Sequence, residues 1–205
     1  MILLFLGIFN EFCVPKRMDR IDHALVWFIK LSLIALFLTL PVAFAQTEPA
    51  DEFWMSCSDG KADTIKESLK AHPEWANART KSGESCLHLT GIYGHAKATE
   101  ILLQQGADPN IRSTWKEGLR MHPLSWNVYG GYIDNIKLLL KYGADVNADF
   151  DTMTGAEEDP YQTTVMDIAL QLVEQEERFG PLVDLLRKHG GKTMAELRLE
   201  KSQEL

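Results

Sequence analysis

The chain has 205 residues, with 21 Lys and Arg against 29 Asp and Glu and a formal net charge of -8. That length suits one ordinary domain plus a leader, and the excess of carboxylates offers no electrostatic footprint for nucleic acid or an anionic membrane surface. With 45% hydrophobic residues there is enough apolar side chain to bury a core.

Residues 1–45 are rich in Leu, Ile and Phe. From Met18 the pattern is that of a secretory signal. Arg20 stands in front, an apolar run from Leu31 to Leu40 is broken by Pro41, and Ala43-Phe44-Ala45 precedes Gln46. The small-x-small ending predicts cleavage after Ala45. Residues 1–17 lie ahead of an already complete signal, so translation from Met18 is expected. The competing reading is an inner-membrane anchor, because 24–45 could span ~30 Å of hydrocarbon if Lys30 is tolerated. Pro41 and the Ala-x-Ala ending favour removal, which leaves 17 basic and 26 acidic residues and a balance near -9.

After a polar linker over 46–52, the domain is expected over 53–192. Its first unit is irregular: Phe53 and Trp54 on one helix, Asp59-Gly60 at a turn, Ile65 and Leu69 on a second helix, then His72-Pro73-Glu74-Trp75-Ala76-Asn77. The stretch from Ser85 to Asn110 then recurs 37 residues on, Gly94 as Gly131, Gly106 as Gly143, Asp108 as Asp145 and Asn110 as Asn147. An internal repeat at such a period points to a stacked array of small units. In the first full copy, Leu87, Thr90 and Gly91 stripe one short helix and Ile101, Leu102 and Leu103 its partner. Helices below ~12 residues are marginal alone, so stacking must supply their burial. A modified closing unit follows, from Thr164 through Asp167-Ile168-Ala169 to Leu185-Leu186 and His189-Gly190-Gly191, and 193–205 reads as a polar helical tail.

These residues resemble the ankyrin repeat, with its Thr-Pro-Leu-His, Gly-His, Leu-Leu and Gly-Ala-Asp-x-Asn signatures. The resemblance implies an all-α solenoid of about four helix-turn-helix units after an N-terminal signal peptide. Gly60 to Gly94 is 34 residues, near the family's period of 33. The resemblance also assigns His88 and His95 to structural positions, where the ring ties neighbouring loops together.

Its functional implication is a protein partner, met by loop tips and the exposed side of the first helices. On this chain that surface maps to Lys81, Ser82, Glu84, Ile92, Tyr93, Trp115, Lys116, Val128 and Tyr129. Trp and Tyr are the residue types that dominate interface energetics. The loop over 111–121 is four residues longer than in the preceding unit, and two insertions depart from the repeat: a short one between Glu174 and Phe179 that lengthens the turn of the closing unit, and the larger acidic stretch 148–162, which carries Asp149, Asp151, Glu157, Glu158 and Asp159. The acidic stretch is a poor calcium loop, since Met153 replaces an oxygen ligand and Thr154 stands where glycine is required. It reads as a solvated loop, or as carboxylates facing a basic partner.

The chain has no Ser-His-Asp context, glycine-rich phosphate loop or metal-ligand spacing, so no catalytic residue, cofactor, metal, small-molecule substrate or nucleic acid is expected. Cys57 and Cys86 would enter an oxidising compartment if the leader directs export. By repeat register, however, Cys57 falls late in one first helix and Cys86 opens the next. Adding that axial offset to an 8 to 10 Å helix spacing exceeds the ~7 Å reach of a disulfide, so two free buried thiols are expected. The reading is a monomeric, exported, non-enzymatic binding module, periplasmic or secreted. A dedicated inhibitor or immunity protein and a secreted effector are the alternatives.

Overall fold

A computed structural model of the chain describes residues 48–114, 119–151 and 162–204. Residues 1–47, the stretch read as a leader among them, Trp115, Lys116 and residues 152–161 of the acidic stretch lie outside the described residues.

Eight of the nine described α-helices form four antiparallel pairs. They are α1 (Asp51–Asp59) with α2 (Ala62–Ala71), α3 (Cys86–Tyr93) with α4 (Ala96–Gln104), α5 (Pro123–Gly130) with α6 (Ile133–Lys141), and α7 (Val165–Gln175) with α8 (Gly180–Lys188). The first helices pack in the row α1, α3, α5, α7, and α2, α4 and α6 form a second row behind them. The core runs between the rows through Phe53, Ile65, Leu87, Leu102, Leu124, Ile136, Leu139, Met166 and Leu182, all at most 2% exposed. Short helices are thus stabilised by neighbours rather than by propensity. The α1 helix begins at Asp51, inside the stretch read as linker, and Asp51 and Glu52 in its first turn complement the helix dipole.

Each of the first three first helices stops at a left-handed glycine, Gly60 (φ 69°), Gly94 (φ 76°) or Gly131 (φ 67°). The next unit covers each glycine with a ring: His95 over Gly60, Tyr132 over Gly94 and Phe179 over Gly131. His95 Nε2 also lies 2.8 Å from the Ser58 carbonyl oxygen.

On the opposite side an asparagine ladder joins the units. The Asn77 amide donates to the Gly106 carbonyl (3.1 Å) and accepts from the Asp108 N–H (2.7 Å). Asn110 repeats this with Gly143 (2.9 Å) and Asp145 (2.7 Å). Asn147 repeats it with Gly190 (3.0 Å) and Lys192 (2.8 Å).

Three fingers project between the pairs. The first is closed by the Arg79–Ser85 bridge, the second by the Ser113 N–H to Met121 carbonyl bond at 3.0 Å, and the third by β1 (Phe150–Asp151) paired antiparallel with β2 (Gln162–Thr163). Arginines link them: Arg79 Nη1 donates to the Arg112 carbonyl at 2.6 Å, and Arg112 Nη2 to the Asp149 carbonyl. The closing α9 (Met194–Gln203) is capped by Thr193 and held by Arg187–Glu196 (2.8 Å) and Lys192–Glu200 (2.6 Å) ion pairs.

The cysteines correct the sequence expectation. Cys57 and Cys86 form a disulfide with Cα atoms 5.3 Å apart. The flaw lay in treating successive first helices as flush. They are staggered, so that a late turn of one meets the first turn of the next. The following interface shows the same offset: Gly91, at the Cys57 register position, packs where a Cβ would lie 3.3 Å from the carbonyl oxygen of Pro123, at the Cys86 position. The stagger cancels the axial offset that had excluded the bond.

Candidate protein-binding face

The first finger turns tightly because Gly83 adopts φ 83° and donates its N–H to the Thr80 carbonyl at 2.9 Å. This leaves Lys81 and Ser82 exposed at the tip. Glu84, at the finger's base, is only 9% exposed and accepts a hydrogen bond from the Ser113 hydroxyl at 2.7 Å. Burial pushes its carboxyl above the usual carboxylate range. It ties the first finger to the second and is not presented as a contact. Val128 is likewise corrected, since it is fully buried in the α5 core face.

Behind the finger, His88 sets the entry of α3. The Ser85 hydroxyl caps the helix at the His88 N–H, while His88 Nδ1 lies 3.0 Å from the Ser85 N–H and accepts from it. Nε2 therefore carries the proton and donates to the Met121 carbonyl at 3.0 Å, joining the first full repeat to the second finger. Burial of the ring lowers its pKa to about 4. The second copy has Ser125 at this position. Its bridging is done instead by His122, whose Nε2 lies 3.1 Å from the Asp149 carbonyl oxygen.

At the other end of the first helices stand Tyr93, 56% exposed, and Tyr129, 42% exposed, the largest apolar surfaces on α3 and α5. Partial burial raises the Tyr129 phenol above its ordinary value. Ile92, in register with Tyr129, is half-buried, and its carbonyl accepts from the Tyr132 hydroxyl at 3.5 Å. An eight-residue helix is about 12 Å long, so the tyrosines and the Lys81–Ser82 tip are ends of a strip rather than one patch.

Between those ends lie residues the sequence reading left out. Counting five back from each terminal glycine gives Met55, Leu89 and Trp126. Met55 is 63% exposed, and Leu89 and Trp126 are half-buried against the core's edge. Their equal spacing from Gly60, Gly94 and Gly131 was the available signal.

Apart from Lys81 at its tip, the strip is uncharged. Neither α3, CLHLTGIY, nor α5, PLSWNVYG, holds a Lys, Arg, Asp or Glu, and His88 is buried and neutral at pH 7. The second helices carry the charge instead, among them Lys97 and Glu100 on α4 and Asp134, Lys137 and Lys141 on α6. Among the described residues no cluster of His, Cys, Asp or Glu could hold a metal ion, and no helix is long and apolar enough to cross a membrane.

Paired short helices, glycine stops, projecting fingers and an asparagine ladder define a helical repeat solenoid. Residues 53–150 match the family of ankyrin repeats (3 copies), and this stretch of the chain is built of ankyrin repeats. An ankyrin repeat-containing protein of Schizosaccharomyces pombe is 36% identical over 29% of this chain and 28% of its own length. A putative ankyrin repeat protein of Acanthamoeba polyphaga mimivirus is 36% identical over 37% of this chain and 10% of its own. A homolog of transient receptor potential cation channel subfamily A member 1 in Caenorhabditis elegans is 26% identical over 46% and 8%. The chain thus spans little more than a quarter of these relatives at most. Ankyrin repeats are protein–protein interaction modules, and that coarse function is the one the family carries here.

Proposed function

We propose that the chain is an exported, non-enzymatic binding module whose protein partner docks along the uncharged helices α3 and α5, between the Lys81–Ser82 tip and the Tyr93 and Tyr129 rings. The observation that carries this is the exposure of two tyrosines, 56% and 42%, on helices without a single formal charge. A charged partner group placed there would be desolvated without a counter-charge, so the fitting partner presents aliphatic and aromatic side chains. Export is supported by the signal pattern of 18–45 and by the Cys57–Cys86 disulfide, a bond characteristic of oxidising compartments.

The test compares the exported chain with a Tyr93→Ala, Tyr129→Ala variant shown to be folded, each used to capture partners from the envelope or secreted fraction of its host. Loss of these two aromatic contacts is expected to weaken the specific complex about thirtyfold, at low and high salt alike. A photo-crosslinking residue at position 129 should join the partner, and one at Lys137 should not. Equal capture by the variant, or cross-linking from 137 alone, would overturn the assignment. A partner whose activity the chain abolishes would make the module an inhibitor, a role its acidic balance suits when the partner is basic.

A further inference from the structure

The disulfide stands where the array is least regular. It joins α1 of the atypical first unit to α3 of the first full repeat, 29 residues apart in sequence, and both cysteines are 0% exposed. The stagger brings the same two register positions together at the next interface, where Gly91 and Pro123 occupy them, so the geometry belongs to the stack and only the sulfurs are particular to the first interface. This unit also has contacts of its own on that interface. Asn77 bonds to Gly106 and Asp108, Ser58 to His95, and Phe53, Trp75 and Ile65 lie in the shared core.

We propose that residues 51–77 form a latched cap. Docking of the cap shields the disulfide from reductants, the disulfide holds the cap docked, and undocking of the cap is the step that gates reduction. The chemistry requires this order. A dithiothreitol thiolate attacks one sulfur and expels the other cysteine as a thiolate; the reagent's second thiol then displaces the first cysteine and closes into the oxidised ring. Two electrons pass to the protein, and both cysteines end as thiols. The attacking thiolate must approach a sulfur, and neither has exposed surface until α1 moves off α3. Once the bond is cut, the constraint on a loop of this size is gone and the undocked cap becomes more populated by on the order of a hundredfold. Met55, in register with Leu89 and Trp126, leaves with it. The row formed by these three side chains is therefore complete only in the oxidised protein.

The experiment follows reduction of the oxidised protein by dithiothreitol, using alkylation and mass to count free thiols over time. Native protein should be reduced at least ~1,000-fold more slowly than protein unfolded in urea, as expected for a site that opens only by local unfolding. Two mild variants separate local from global opening. Ile65→Val, in the cap, should speed reduction several-fold, while Ile136→Val, in α6, should leave the rate unchanged. Equal acceleration by both variants would place the gate in global unfolding and overturn the proposal. So would equal rates in native and unfolded protein, or two free thiols in protein isolated without reductant.

Discussion

At the residue scale, the glycines that end the first helices carry two constraints at once. Gly94 has φ 76°, and a Cβ there would collide with the Tyr132 ring from the next unit. Gly106 has φ 87° but nothing within 4 Å of its Cβ direction. Ala in the left-handed region costs about 1 kcal/mol or more by conformation alone. Gly106→Ala should therefore cost about that much, and Gly94→Ala at least ~1 kcal/mol beyond it because the ring must shift. Urea denaturation decides the matter, and equal costs would mean that Tyr132 yields freely. The His88 ring makes a pH prediction. Its folded pKa of about 4 lies below the 6.5 of the free side chain, so the unfolded state takes up the proton first. Its contribution is fully present above pH 6.5 and is lost as pH falls from 6.5 to 4, by roughly 3 kcal/mol. Glu84 acts in the opposite sense, since its raised pKa makes protonation favour the folded state as pH falls. The His88 part is isolated by comparing wild type with His88→Gln at pH 7 and pH 4. A variant with the same acid sensitivity as wild type would refute it.

At the scale of elements, the connections between units are polar and repeat faithfully where the sequence repeats. Asn110→Ala removes one donor and one acceptor bond to the next unit, at 2.9 and 2.7 Å. Both are solvent-facing, so the loss should be modest, about 1–2 kcal/mol in urea, and a change below ~0.3 kcal/mol would show that water substitutes for them. Asp108 and Asn110 are legible from sequence as loop formers. That Asn110 reaches across to Gly143 is not, because its partner is chosen by stacking rather than by neighbours in the chain. The same limit explains the cysteines and Glu84. Periodicity places Cys57 and Cys86 on the correct helices, but the stagger between helices is a tertiary quantity, and it decides whether a disulfide closes. Family position puts Glu84 near a finger tip, yet the longer second finger supplies Ser113, which draws the carboxylate inward. Tyr93 and Tyr129 were readable as surface residues because their spacing from Gly94 and Gly131 sets them off the core face. Met55 was hidden by the irregularity of its unit.

For the whole molecule, contacts run between neighbouring units, so stability is approximately a sum of units and interfaces and a lesion stays local. The two ends differ. The N-terminal unit is covalently joined to its neighbour, whereas the closing unit is held by Leu182 and Leu186, at 1% and 0% exposure, by the Asn147 bonds and by ion pairs of α9 at 41% to 43% and 38% to 51% side-chain exposure. Exposed ion pairs of that kind contribute little. Unfolding of the oxidised protein should therefore proceed from the C-terminal end. Leu182→Ala, at a cost of about 2–5 kcal/mol, should exceed what that unit can lose while remaining docked. Hydrogen exchange should then collapse across α7, α8 and α9 while protection in α3 and α4 persists. A uniform fall in protection along the chain would mean that the array unfolds as one cooperative block. A divided response would leave the strip of α3 and α5 standing on its own two repeats, with binding through Tyr93 and Tyr129 retained by a protein whose closing unit has melted.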